Sequence, residues 1–247
     1  MNPYSGLCDD FYVNMNLCTE MELPSNRETI LHFFERIRKA YPEMRNFYCR
    51  EEDEFVLEED KEEGRYRWCS VELRRVCSGY VNPEELEKAF AQHRLVLQLA
   101  PYELSISPLD CEALDVLFGF DFTYRGNHNQ AVAEALGVPL AFERFAEWPG
   151  ATVIHYEPCL TLALDRECRR QCRVSLETRT NAYHVRTGDY PEEQLSVYVT
   201  CRQYGSLPNE DAFLTTFHEL AQLCQQVIDT YVIDSVLQPL ARVIATQ

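Results

Sequence analysis

Three stretches of alternating residues put chemistry-bearing side chains on a common parity. Within 151–164, His155 and Glu157 fall on the same side as Cys159 and Thr161, opposite Ile154, Tyr156, Leu160, Leu162 and Leu164. Within 172–182, Glu177 and Arg179 fall opposite Val174 and Leu176. Within 194–204, Tyr198 and Arg202 fall opposite Val197, Val199 and Cys201. A strand sends successive side chains to opposite faces, so each stretch has one aliphatic side and one polar side. The turns between them are short enough to make the three strands neighbours. His155, Glu157, Glu177, Arg179, Tyr198 and Arg202 are then expected on one sheet face, joined by Asp115 and Asp121 from an alternating run over 113–125. Acids, bases and a phenol on a concave surface suit a polar ligand or an exchangeable proton, and this face is the expected ligand or partner site. The same residues also suit a solvated face laced by cross-strand ion pairs, each contributing roughly 0.2–1 kcal/mol.

A second candidate is the turn Tyr124-Arg125-Gly126-Asn127-His128-Asn129, which joins a strand to a helix start. Free backbone N–H groups at such a terminus can hold an anion, with Arg125 and His128 assisting. The competing reading is plain capping by Asn127 or Asn129.

Signatures of known catalytic chemistry are missing from the sequence. There is no phosphate loop, no Gly-x-Gly-x-x-Gly, no Gly-x-Ser-x-Gly and no His-Glu-x-x-His; His218-Glu219 continues Leu-Ala-Gln and lacks the second His. Nine glycines in all leave little for phosphate-cradling loops. The eleven cysteines include no Cys-x-x-Cys pair, the closest spacing being Cys168 to Cys172, so no metal site is expected and no cofactor is implied. Most of these cysteines lie in apolar stretches, where a reduced thiol packs as a small hydrophobe. Thiol richness and an N-terminus without a basic flank and apolar core point to a reducing, cytoplasmic setting.

The chain has 23 Lys and Arg against 40 Asp and Glu, a net charge of −17. That balance argues against a nucleic-acid grip and against an anionic membrane surface. No apolar run is long enough to span a bilayer. Residues 51–63 hold nine carboxylates against Lys61, a net of −8, without the Gly and spacing of a calcium loop. They are expected to form an exposed, self-repelling loop.

The elements that must position these groups follow from periodicity. Residues 11–21 alternate as a half-buried strand; Ser25 or Asn26 starts a helix carrying Ile30, Phe33, Phe34 and Ile37. Short strands over 44–50 and 54–58 and one long strand over 65–77 come next, and Asn82-Pro83-Glu84-Glu85 reads as a helix start. After a connector over 101–111 come the strand 113–125, helices over 126–146, the three strands above and a helical region over 209–238 that Pro239 interrupts. The order strand, helix, three strands, helix thus occurs twice. The expected fold class is α+β, with antiparallel sheet, helices packed on one face and a duplicated β-α-β-β-β-α module, divided as 1–108 and 109–247. The two sheets either stand apart or join edge to edge. This order is similar to TATA-binding-like and helix-grip folds, a likeness of topology with no shared motif, from which no function follows.

The function expected is that of a non-catalytic binding or scaffold protein, using the polar face for a protein or a small polar ligand. One alternative is an enzyme acting on a phosphorylated or anionic small molecule. Another is self-assembly through a sheet edge or the C-terminal helix. The sequence names no catalytic residue and no reaction.

Overall fold

The computed structural model describes residues 3–4, 6–50 and 54–246. Alternation over Asp10–Thr19 forms β1, whose Phe11, Val13, Met15 and Leu17 are buried on one side. Asn26 caps α1 (Arg27–Ala40) by accepting the Thr29 N–H, and Ile30, Phe33, Phe34 and Ile37 form its buried stripe. Then follow β2 (Asn46–Arg50), β3 (Glu54–Glu58), β4 (Tyr66–Glu72), β5 (Arg75–Val81) and α2 (Leu86–Glu103). The second half comprises β6 (Cys111–Tyr124), α3 (His128–Leu136), α4 (Leu140–Ala146), β7 (Cys159–Ala163), β8 (Arg170–Glu177), α5 (Ala182–Thr187), β9 (Glu193–Tyr204) and α6 (Asp211–Val227). A π-wound stretch over Ile228–Leu237 and α7 (Gln238–Thr246) complete the chain.

The fold is α+β. One nine-stranded antiparallel sheet runs in the order β2-β3-β4-β5-β1-β6-β9-β8-β7. The two halves therefore join edge to edge, through the antiparallel pairing of β1 with β6 in which Met15 faces Val116 and Val13 faces Phe118. Helices α2 and α6 pack on the aliphatic side of the central strands and on each other, with Phe90 and Phe217 at 5.9 Å between ring centroids. Val116, Phe118, Phe120, Val197, Val199 and Cys201 are wholly buried beneath them. Tyr4 packs on Phe11, Phe118 and Phe120, and its hydroxyl donates to Asp229 in the π-wound stretch (3.0 Å). No helix among the described residues is long and apolar enough to cross a membrane.

Several elements differ from the sequence expectation. The long strand over 65–77 is instead a hairpin, β4 and β5, turning at Leu73-Arg74, with Arg75 and Glu72 paired across the turn at 2.6 Å. Alternation persists through so tight a turn, so parity alone does not reveal it. Asn82 is not a helix cap. It sits at φ 49°, and its side chain accepts from Phe11 N–H and donates to Asp10 and to the Gly64 carbonyl, fastening the end of β5 to β1. Helix α2 begins four residues later, at Leu86. The acidic segment is not wholly exposed: Glu58 and Glu59 are buried. Glu58 pairs with Lys61 (2.9 Å), and Glu59 accepts from the Arg67 guanidinium and backbone N–H, both at 2.8 Å. Arg67 is itself sandwiched by the rings of Tyr41 and Tyr80. Residues 51–53 of that segment lie outside the described residues.

Candidate functional site

The side of the sheet away from α2 and α6 is polar. Register sets its cross-strand rows. One row runs Thr161, Arg173, Thr200, Leu117, Asn14 across β7, β8, β9, β6 and β1. Its neighbours run Ser175, Tyr198, Gly119, Tyr12 and Gln171, Arg202, Asp115, Asn16. Gly119 is needed where it stands, because a Cβ there would fall inside the Tyr12 ring that lies over it. The Trp68 ring covers Gly79 in the same way on the other half of the face.

A cleft of about 700 Å³ opens over β7, β8, β9 and β6. Its carboxylates are already engaged. Asp115, 2% exposed, takes both oxygens to the Arg202 guanidinium, which also donates to the Tyr204 hydroxyl at 2.9 Å. Burial pushes the Asp115 carboxyl up while Arg202 opposes it, and the bond to Asp115 holds Arg202 firmly cationic. Glu177 accepts from the Tyr198 hydroxyl (3.0 Å) and pairs with Arg179 (2.9 Å). Glu157 accepts from the backbone N–H and hydroxyl of Thr178, at 2.7 and 2.9 Å. Of the cleft's guanidiniums, Arg75 pairs with Glu72 and Arg202 with Asp115. The Arg173 side chain has no ion-pair or hydrogen-bond partner among the described residues, and the residue lies between Thr161 and Thr200 in its row. The cleft thus presents one spare cation and two flanking hydroxyls in a wall whose acids are spoken for. A planar guanidinium so placed can take a carboxylate side-on through two parallel N–H donors.

Of the six residues expected on this face, Glu157, Glu177, Tyr198 and Arg202 line the cleft. Arg179 stands beyond the end of β8; it pairs with Glu177 and faces a smaller hollow with Thr123, Glu192, Glu193 and Gln194. His155 is elsewhere. Its stretch is a strand only over Cys159–Ala163, because the polar start of α3 captures the residues before it. Asn129 accepts from the Tyr156 N–H (2.7 Å), Asn127 donates to the Val153 carbonyl (2.7 Å), and the Tyr156 hydroxyl donates to the Gly137 carbonyl (2.8 Å). His155 therefore turns out beside Phe142, Phe145 and Thr152 in an apolar groove of about 360 Å³.

Asp121 is partly buried on the polar face, accepts from the Tyr12 hydroxyl (3.3 Å), and its carboxyl is raised by burial. At the second candidate, Arg125 is exposed and donates to the Tyr190 carbonyl (3.2 Å). His128 is fully buried between the Tyr124 carbonyl (3.1 Å) and the Arg179 N–H (3.3 Å), and burial lowers its pKa. The N–H groups at the start of α3 are taken up by Thr180 and the Asn127 side chain. The turn is capped from within the chain.

Arg173 and Arg75 were not singled out by sequence. Extending the polar parity of 172–182 by one step back from Ser175 finds Arg173; Arg75 was hidden inside the apparent long strand. Among the described residues, no three His, Cys, Asp or Glu side chains come together as metal ligands. No protein-family model matches the chain, and no curated protein matches it in sequence.

Proposed function

We propose that the protein is a non-catalytic binding protein whose cleft on the polar sheet face takes a small polar molecule bearing a single negative group, a carboxylate being the best fit. The observation that carries this reading is Arg173, the one guanidinium of the cleft whose side chain has no partner among the described residues, flanked by Thr161 and Thr200. Three carboxylates in the same wall disfavour a multiply charged ligand such as a polyphosphate. Binding rather than catalysis is favoured because Asp115, Glu157 and Glu177 are each held by an internal donor, and no histidine lines the cleft to act as a base. Tyr198 and Tyr204 give the ligand's remaining body an aromatic wall.

A thermal-shift screen of small monocarboxylates, dicarboxylates and phosphate monoesters tests this, run in parallel on the wild type and on Arg173→Gln. Monocarboxylates are expected to raise the wild-type melting temperature and to leave the variant unmoved. Equal shifts in both proteins, a preference for phosphate monoesters, or no shift with any compound would overturn the reading.

A further inference from the structure

Strand β7 ends the sheet, and no strand among the described residues pairs with its outer edge. The Leu164 N–H donates to the Arg170 carbonyl and the Leu176 N–H to the Pro158 carbonyl, at 2.8 and 3.1 Å. Antiparallel pairing alternates, so the even-numbered residues of this strand bond inward to β8. Cys159, Thr161 and Ala163 then aim their backbone N–H and C=O groups outward. Native edge strands are usually guarded by a charge, a proline or a bulge. The opposite edge, β2, carries Arg50 paired with Glu54 and packs Phe47 on Phe34. Strand β7 has no charged residue at all.

The side chains add to this. Leu160 and Leu162 lie on the aliphatic side, opposite Val174 and Cys172, yet the helical layer stops short of them. Leu160, Leu162 and Leu164 are 60%, 51% and 43% exposed. Eight of the fifteen exposed large apolar side chains of the described residues fall between Leu140 and Leu164. The exposed fractions of Leu160, Leu162 and Leu164 alone amount to about one and a half whole side chains along this edge.

We propose that β7 is the interface of a symmetric homodimer, in which a second copy of this chain pairs antiparallel with it about a two-fold axis at Thr161. The strand is self-complementary in that register. Thr161 meets Thr161 of the partner subunit and Cys159 meets Ala163 of the partner subunit, so the outward groups of both strands close about six hydrogen bonds. Leu160 meets Leu162 of the partner subunit at the non-hydrogen-bonded positions, where side chains approach most closely. Charge favours a second copy here despite the net −17 of the chain. The turn 165–169, which leads from β7 into β8, carries Arg166 and Arg169 against Asp165 and Glu167, a local net of zero. Two acidic molecules repel least where their contact is neutral.

Light scattering coupled to size-exclusion chromatography tests the proposal on the full chain at tens of micromolar, with Leu162→Glu and Thr161→Pro alongside. Leu162→Glu places a charge in the apolar row, and Thr161→Pro removes an outward N–H without breaking a bond to β8. The wild type is expected at twice the 28.8 kDa of one chain, and both variants at 28.8 kDa with unchanged far-ultraviolet circular dichroism. A wild type at 28.8 kDa would overturn the proposal, including the case in which a strand of another protein covers this edge. So would a dimer that persists in Leu162→Glu, the variant that leaves the backbone untouched.

Discussion

Replacing Arg202 by Ala probes how the polar face is held together. Asp115 has 3% of its side chain exposed and Arg202 has 36%. Breaking a fully buried ion pair from one side costs about 3–5 kcal/mol, because the remaining charge is stranded. Water reaches about a third of Arg202, so the expected loss is smaller, about 2 kcal/mol. A domain of ordinary stability, about 5–15 kcal/mol, survives that loss and can be measured by urea unfolding. The pH dependence identifies the cause. Burial already pushes the Asp115 carboxyl up, and without the Arg202 guanidinium only the weaker pull of Arg75 opposes that push. A folded-state pKa above the unfolded one means stability is full below the unfolded value, about 3.9, and is lost as pH rises through the raised folded value. The gap between wild type and Arg202→Ala is therefore expected to be large at neutral pH and to shrink toward pH 4. Adding Asp115→Asn to Arg202→Ala should recover part of the loss at neutral pH. A gap that is constant with pH, or a double variant no more stable than Arg202→Ala, would refute the stranded-carboxylate reasoning.

Gly119→Ala should destabilise by about 1–3 kcal/mol, since its methyl group displaces the Tyr12 ring, and chemical denaturation of the single variant and of the pair with Tyr12→Ala checks this. Glu59→Gln should cost about 1–2 kcal/mol by weakening a charge-assisted contact to Arg67, while Glu62→Gln in the exposed part of the same segment leaves the unfolding midpoint unchanged. His93 is fully buried, and burial lowers its pKa to about 3. Its contribution to stability is then present above the unfolded value of about 6.5 and is lost as pH falls toward the folded one. Proton NMR should show the His93 ring failing to titrate between pH 5 and 8.

What was legible in the sequence was whatever depended on parity. The aliphatic side of 113–125 and 194–204 lies under the helices, and Tyr198, Arg202, Asp115 and Glu177 share the opposite side, because a buried face fixes strand register. What was not legible depended on long-range capture of polar groups. Nothing near 151–158 announces that Asn127 and Asn129 will take its backbone and turn His155 away from the sheet. Asn82 resembles an N-cap by type and position, yet bonds to β1, a contact 71 residues distant. Glu59 reads as one acid in a solvated run, and only the fold brings Arg67 to it. Leu160 and Leu162 read as core by alternation, but the helical layer ends before β7.

Ligand capture at the cleft is tested most directly by amide NMR. The protein is titrated with the monocarboxylate that gives the largest thermal shift, in the wild type and in Arg173→Gln. Saturable shifts should concentrate in the amides of β7, β8 and the second half of β9, around Thr161, Arg173 and Thr200, and should vanish in the variant. Shifts centred away from these strands, or an identical response from Arg173→Gln, would contradict a binding cleft built on Arg173.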